Sequence, residues 1–209
     1  MRTDRLIATL AADAKSAMAP RRALLYAILA GACAAALLFF AVLGPRPDFM
    51  HALSTIRFDF KFVLTVSLGL SALAVTLHLA RPEAKGGAAI LLLVPAMLAA
   101  ALVLELVNIP AQEWAARWIG HNARACMVNI PMLALVPLVL ILLALRQAAP
   151  ARPALSGAVA GLLAAGLGAS FYAAHCPDDS PLFVATWYTI AIGLVSALGA
   201  FLGPRLLRW

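Results

Sequence analysis

The sequence is poor in charged residues and contains few cysteines. Only 12% of its 209 residues are Asp, Glu, Lys or Arg, whereas 64% belong to the apolar set Ala, Val, Ile, Leu, Met, Phe, Trp, Tyr and Cys. A soluble domain is about half apolar and about a quarter charged, and a chain of this size cannot hide so much apolar surface in its own core. The shortage of charge therefore excludes a soluble enzyme, a disordered regulator and a disulfide-rich secreted module. An integral membrane protein remains.

The motifs of common enzyme chemistry are also missing. The sequence has no Gly-rich phosphate loop, no nucleophile elbow and no zinc-protease helix motif, and its three cysteines form no Cys-x-x-Cys pair. We therefore expect no enzymatic activity, no catalytic residues and no cofactor. No stretch interleaves basic and aromatic side chains, so the net charge of +7 does not indicate binding to nucleic acid.

Apolar runs long enough to cross a membrane are abundant. A spanning helix needs roughly 20 mostly apolar residues, and six windows meet this requirement. They are Ala23–Leu43, Lys61–Ala80, Ala88–Val107, Cys126–Leu145, Gly157–Ala174 and Val184–Gly203. The sequence thus predicts an all-α polytopic membrane protein, a bundle of six transmembrane helices. Residues 23–209 form this transmembrane domain, and residues 1–22 form a cytoplasmic amphipathic tail.

The distribution of Lys and Arg predicts the orientation of the bundle. With the N-terminus in the cytoplasm, the inner segments hold 11 of the 16 basic residues and the outer segments hold 5. Short cytoplasmic loops carry an excess of Lys and Arg, so both termini are expected in the cytoplasm. A bacterial inner membrane is the expected location. The inner basic residues are Arg2, Arg5, Lys15, Arg21, Arg22, Arg81, Lys85, Arg146, Arg152, Arg205 and Arg208.

The N-terminal tail has the pattern of a short helix. Thr3 is suited to cap it, and Asp4 would lie in the first turn, where the helix dipole favours negative charge. Leu6, Ile7 and Leu10 recur on one face. Two interpretations stay open. The tail is either an interfacial helix on the lipid bilayer or a docking helix for a cytosolic partner, and the other cytoplasmic segments are too short for docking.

Two of the three cysteines are predicted on the outer side. Cys126 opens the fourth span, and Cys176 follows the fifth, next to His175. In a bacterial inner membrane both would face an oxidising compartment. Three alternatives stay open: apolar filler, a disulfide, which needs Cα atoms within about 7 Å, and a soft-metal site that includes a histidine.

Charge inside the predicted spans is scarce. Lys61 borders the second span, and Glu105 lies near the outer end of the third, where we expect it to reach the headgroups. A transporter typically has carboxylates near the middle of the membrane and internal repeats, and the sequence shows neither. Polar residues predicted on the outer side form an outer polar cluster, which consists of Glu105, Asn108, Glu113, His121, Cys126, Asn129, His175, Cys176, Asp178 and Asp179. A small membrane thiol oxidoreductase or transporter that uses this cluster is kept as the alternative function. Within the fifth span, Gly157 and Gly161 form a small-xxx-small pattern that allows close helix packing.

The C-terminal third carries a specific resemblance. The run from His175 to Tyr188, His-Cys-Pro-Asp-Asp-Ser-Pro-Leu-Phe-Val-Ala-Thr-Trp-Tyr, resembles the signature of the NrsF family of bacterial membrane anti-sigma factors. The opening Met-Arg-Thr-Asp-Arg-Leu-Ile and the ending Gly-Pro-Arg-Leu-Leu-Arg-Trp are also similar to that family. The resemblance covers essentially the whole chain.

This resemblance implies a function. Members of the family hold an extracytoplasmic-function sigma factor at the inner membrane and release it under heavy-metal or oxidative stress. The family's cysteine pair matches Cys126 and Cys176, and its partner-binding role falls on residues 1–22. The implied partners are a sigma factor and the lipid bilayer, and the homo-oligomeric state stays open. The candidate metal ligands are Cys126, Cys176 and His175, and the candidate docking residues are Thr3, Asp4, Leu6, Ile7 and Leu10.

Overall fold

The structure is a computed structural model that describes residues 3, 7, 20–81 and 86–207. Within these residues the chain is helical and contains no strand. In chain order the helices are α1 (Pro20–Val42), α2 (Phe49–Ala52), α3 (Ile56–Leu79), α4 (Leu93–Asn108), α5 (Ala111–Ile119), α6 (Ala123–Arg146), α7 (Pro153–Ala173), α8 (Pro181–Phe183) and α9 (Thr189–Leu206). A 3₁₀ turn, Ala88–Leu92, leads into α4, and a π-helical turn, Val184–Tyr188, joins α8 to α9.

Six helical segments within the described ranges are long and apolar enough to cross a membrane, which confirms the six predicted spans as helices. Their limits differ from the prediction. The second helix begins at Ile56 and not at Lys61, and the sixth begins at Pro181 and not at Val184. An apolar window stops at the first charged residues, whereas helical hydrogen bonding continues through them. The additional turns carry the polar side chains discussed below.

Helix α7 lies at the centre of the bundle. It packs against α9, α3 and α6, and α1 packs against α6. Buried Leu, Ile, Val and Ala side chains from these helices form the larger hydrophobic core. Helix α4 lies at the periphery, because only Val94 and Glu105 of its side chains are buried. The polar member of this pair, Glu105, is therefore a main point of attachment for α4.

Glycines allow α7 and α9 to touch along their backbones. A Cβ atom added at Gly157 would overlap the carbonyl oxygen of Gly199, and one added at Gly161 would lie 2.6 Å from the Cα of Ser196. The small-xxx-small pattern thus predicts the close contact correctly. The structure adds its partner, Gly199 on α9. A larger residue at these positions would separate the two helices.

The alternating direction of the six long helices gives the bundle two chemically different ends. One end, here called the cysteine end, contains the C-terminus of α1 and the starts of α3 and α6. It carries both Cys126 and Cys176, as predicted, and every carboxylate among the described residues. These carboxylates are Asp48, Asp59, Glu105, Glu113, Asp178 and Asp179. The opposite end carries six of the ten described arginines, which are Arg21, Arg22, Arg81, Arg146, Arg152 and Arg205.

We expect Gly199→Ala to destabilise the bundle, because its new methyl group would collide with the α7 backbone at Gly157. The expected cost is about 1–3 kcal/mol, a typical penalty for overpacking. Gly193→Ala on the same helix is the matched control, since no atom lies within 4 Å of its added Cβ. Thermal unfolding in detergent measures both variants. Equal unfolding midpoints would contradict this account of the α7–α9 contact.

Candidate functional site

Cys126 and Cys176 lie together in the hydrophobic core of the cysteine end. Each is completely buried, and each is a free thiol. The same cluster contains Tyr172, Phe183 and Tyr188. The structure therefore brings the two predicted residues into one buried cluster, although 49 residues separate them along the chain. The third cysteine, Cys33, is exposed on α1 and lies outside this cluster.

Backbone geometry explains where each thiol lies. The N–H of Cys126 donates to the carbonyl of Asn122 at 2.8 Å, in the first turn of α6, and the N–H of Cys176 donates to the carbonyl of Tyr172 at 3.0 Å, just beyond α7. The helix has ended at Ala173, and Pro177, which has no N–H, cannot continue these turns. Burial raises the pKa of the Cys176 thiol. Because the thiolate is the reactive form, the closed structure protects this sulfur.

Residues Cys176–Ser180, here called the cysteine loop, are held first by a buried cation. The Nζ atom of Lys61 donates to the Cys176 carbonyl at 2.7 Å and pairs with the Asp179 carboxylate, and the lysine side chain is only 1% exposed. Arg46 donates to the other Asp179 oxygen at 2.7 Å. Hydrogen bonds to Asp48 and Asp179 raise the pKa of the Arg46 guanidinium. Asp179 thus joins the loop to α3 and to the α1–α2 connection.

The neighbouring carboxylate, Asp178, binds the start of α6. Its Oδ2 atom accepts hydrogen bonds from the backbone N–H of His121 at 3.0 Å and of Asn122 at 2.8 Å, and from the Asn122 side-chain amide at 3.0 Å. Gly120 precedes this segment with φ of +59°, a conformation that favours glycine. A Cβ atom there would also overlap the Phe183 ring. Asp178 therefore holds the loop beside the helix that carries Cys126.

Ser180 connects the loop to α4 through Glu105. The hydroxyl of Ser180 donates to Glu105 at 3.1 Å, and the guanidinium groups of Arg57 and Arg117 lie 3.0 and 3.4 Å from the same carboxylate. Glu105 is only 6% exposed. The expectation that it reaches the headgroups is therefore wrong, because two arginines and a hydroxyl satisfy it inside the protein.

Three consecutive residues, Asp178, Asp179 and Ser180, thus bond to different helices around the two thiols. The π-helical turn adds a further contact on the same side, where Trp118 Nε1 donates to the Thr186 hydroxyl at 2.6 Å. Neither Lys61 nor Glu105 is among the predicted site residues, although Glu105 belongs to the predicted outer polar cluster. A sequence signal for them existed. Both are charged residues at the ends of apolar spans, and Asp178-Asp179 offers a negative partner for Lys61.

The structure also places the other candidate residues. His175 Nδ1 lies 3.0 Å from the Gly44 carbonyl, with which it forms a hydrogen bond. Among residues 3, 7, 20–81 and 86–207, no group of three or more His, Cys, Asp or Glu side chains is arranged to hold a metal ion. Of the candidate docking residues, Thr3 and Ile7 are helical and exposed, whereas Asp4, Leu6 and Leu10 lie outside the described residues.

We expect Asp179→Asn to loosen the cysteine loop, because the buried Lys61 ammonium would lose its counter-ion. Removing one partner of a buried ion pair costs about 3–5 kcal/mol. Asp48→Asn is the matched control, since this half-exposed carboxylate shares Arg46 with Asp179. Thermal unfolding and the rate of Cys176 alkylation are the measurements. The Asp179 variant should unfold earlier and react faster, and indistinguishable variants would refute the role of this ion pair.

Comparison with known proteins agrees with the resemblance. The family described as "NrsF: Negative regulator of sigma F" matches residues 10–209. The chain is 37% identical over 215 aligned residues to the "Anti-sigma-F factor NrsF" of Caulobacter vibrioides (strain NA1000 / CB15N), and the alignment covers all of both chains. It is 35% identical over 214 residues to the "Probable anti-sigma-F factor NrsF" of Azospira oryzae, again over the full length of both. No solved structure gives a significant match.

These matches decide between the two classes of function that the sequence left open. The family consists of regulatory anti-sigma factors and not of enzymes, which confirms the expectation of a non-enzyme and removes the thiol oxidoreductase alternative. Since the family matches nearly the whole chain and both relatives align from end to end, the protein belongs to the NrsF family of negative regulators of sigma F.

Proposed function

We propose that this chain is a six-span anti-sigma factor of the bacterial inner membrane. It holds an extracytoplasmic-function sigma factor through its cytoplasmic tail, residues 1–22, and releases it when Cys126 and Cys176 react on the outer side. One observation supports this proposal above the others. Both thiols are buried under a loop at the end of the bundle opposite to the start of α1, where the tail joins.

Surface chemistry supports insertion into a membrane. Large apolar side chains such as Leu37, Phe40 and Val107 are more than two-thirds exposed on the outside of the helices. So many exposed apolar side chains are unfavourable in water, and a bilayer would cover them. The excess of Lys and Arg in the segments at the end opposite the cysteines favours a cytoplasmic location for that end.

The proposed partner follows from the family and from the length of the tail. A negative regulator of sigma F requires a sigma factor to bind. Residues 1–22 form the longest predicted segment on the cytoplasmic side of the sequence, and the last three of them begin α1. Thr3 and Ile7 are helical and exposed, as expected of a helix that offers one face to a groove on its partner.

The sensing step is a change in the chemistry of the two sulfurs. A two-electron oxidant would take two electrons and two protons from the thiols and join them in a disulfide. A soft metal ion would instead displace both thiol protons and bind the two thiolates. Either change alters a close-packed cluster, and such clusters respond by shifting the elements around them. The cysteine loop would pass that shift to α3, α4 and α6, to which it is bonded.

The shift must then reach the opposite end of the bundle. Helix α6 carries Cys126 in its first turn, ends at Arg146 and contains Pro131 and Pro137 within its length. Proline removes a backbone hydrogen bond, so such a helix bends more easily. A coupling free energy of about 1–3 kcal/mol would change sigma affinity about 5–150-fold, which is sufficient for a switch.

We expect Cys126→Ser and Cys176→Ser each to abolish the stress response while the chain continues to repress. Serine keeps the size of the side chain and removes the reactive sulfur. Transcription from a sigma-dependent reporter, with and without a thiol oxidant or cadmium, measures the effect. Cys33→Ser is the matched control, because Cys33 is exposed and lies outside the cluster. A full response in both single variants would refute the sensor role.

We expect deletion of residues 3–10 to release the sigma factor and to raise reporter transcription without stress. A finer test replaces Leu6 and Leu10 together by Asp, which would place charge on the proposed docking face. The matched control replaces Ala8 and Ala12, which the helical pattern of the sequence predicts on the opposite face, by Asp. Immunoblots of the membrane fraction verify equal protein levels. Continued repression by the deletion variant would contradict the assignment of the tail.

A further inference from the structure

Two cavities adjoin each other at the cysteine end. The first is an apolar groove of about 460 Å³ between α3 and α4, which Phe60, Met97, Ala101 and Leu104 line. The second is a polar cavity of about 690 Å³ over the cysteine loop, and Arg117 and Asp178 are among its lining residues. Ile56 and Arg57 line both cavities. A ligand with an apolar chain and a polar head would therefore fit across the two.

Arg57 stands where the groove meets the polar cavity. Its side chain is 46% exposed, and only its Nη2 atom donates a hydrogen bond within the described part of the chain, to Glu105 at 3.0 Å. A guanidinium has five N–H donors. Several donors therefore remain available to a ligand, and their planar arrangement suits a phosphate group.

Asp178 lines the same cavity. Among the described residues, no Lys or Arg forms an ion pair with its carboxylate. Its three hydrogen bonds come from uncharged N–H groups and all reach Oδ2. The nearest basic group to Oδ1 is the ring of His121 at 3.7 Å, and that ring is 95% exposed. The neighbouring Asp179 differs, because Lys61 and Arg46 already pair with it. Asp178 is thus placed to accept an ammonium group.

We propose that the two cavities together bind one phospholipid with a phosphoethanolamine head. An acyl chain occupies the groove, the phosphate binds Arg57, and the ammonium binds Asp178. Both charges of this zwitterionic head then have a partner. A choline head has no N–H to donate to the carboxylate, and a glycerol head has no positive charge. The groove opens between two proposed membrane spans, so the proposal rests on the proposed membrane insertion.

The location gives such a lipid access to the sensor. Arg57 and Glu105 form an ion pair, and Glu105 accepts the hydrogen bond from Ser180 of the cysteine loop. A phosphate bound to Arg57 would compete with Glu105 for the same guanidinium group. Occupancy of the site would therefore influence the same contact that connects the loop to α4.

The test uses the purified full chain and native mass spectrometry. Palmitoyl-oleoyl phosphatidylethanolamine, phosphatidylcholine and phosphatidylglycerol are titrated separately, and the retained lipid is counted. We expect the ethanolamine lipid to bind about tenfold more tightly than the other two, the effect of one additional charge-assisted hydrogen bond. Equal retention of the three lipids would overturn the proposal.

Four variants locate the site. Ala101→Phe should fill the groove and lower retention about tenfold, whereas Ala99→Phe, which does not line it, is the matched control. Arg57→Gln should have a similar effect, with Arg124→Gln as the exposed basic control from the same end. If Ala101→Phe and Arg57→Gln retain as much ethanolamine lipid as their controls, the site is elsewhere and the proposal is wrong.

Asp178→Asn tests the head group separately. It should abolish the preference for ethanolamine over choline, because the amide oxygen can still accept the hydrogen bonds from His121 and Asn122 but offers no negative charge to an ammonium group. An unchanged preference would refute the role of Asp178. The same purified proteins are also tested for capture of a purified sigma factor. This second measurement distinguishes failure of the lipid site from failure of the proposed function. Capture without lipid selectivity overturns only the lipid site, whereas failure of capture counts against the anti-sigma function.

Discussion

The buried ammonium group of Lys61 is the constraint on which the cysteine end depends. An isolated charge is very unfavourable in a protein interior, so a buried lysine requires both a counter-ion and hydrogen-bond acceptors. Lys61 belongs to α3, but it is bonded to Cys176 and Asp179, both in the loop after α7. This requirement brings residues 115 or more positions apart into contact. Once Asp179 is in place, Asp178 and Ser180 are positioned to reach α6 and α4.

One loop contacts the surroundings of both buried sulfurs. Cys176 is part of the loop, and Cys126 lies one turn into the helix that Asp178 holds. Helix α7 leads from this loop through the centre of the bundle, where its glycines pack directly on α9. A displacement at the thiols therefore acts on the most tightly packed helix. Peripheral α4 is attached differently, because its main polar attachment is Glu105.

Much of the fold could be predicted from the sequence, because spans of about 20 apolar residues are a strong and local signal. The same signal placed Cys126 and Cys176 at one end, since alternating spans determine the direction of each helix. Helix limits were less accurate where charged residues such as Arg57 continue a helix beyond its apolar run. The partners of Lys61 and Glu105 could not be predicted, because they come from distant parts of the chain. From the sequence alone, a charged residue at the end of an apolar span is expected to be exposed to solvent. Burial of the two thiols could not be predicted either, because it results from contacts between distant segments and leaves no periodic pattern in the sequence.

In the proposed function, the chemistry of the two sulfurs controls the affinity for the sigma factor at the other end of the bundle. The most direct test is the affinity of a purified sigma factor for the full chain in lipid nanodiscs, before and after a thiol oxidant modifies Cys126 and Cys176. We predict an affinity about 5–150-fold lower after modification, and no change in a variant with serine at both positions. An unchanged affinity, with mass spectrometry showing that both cysteines had reacted, would contradict it.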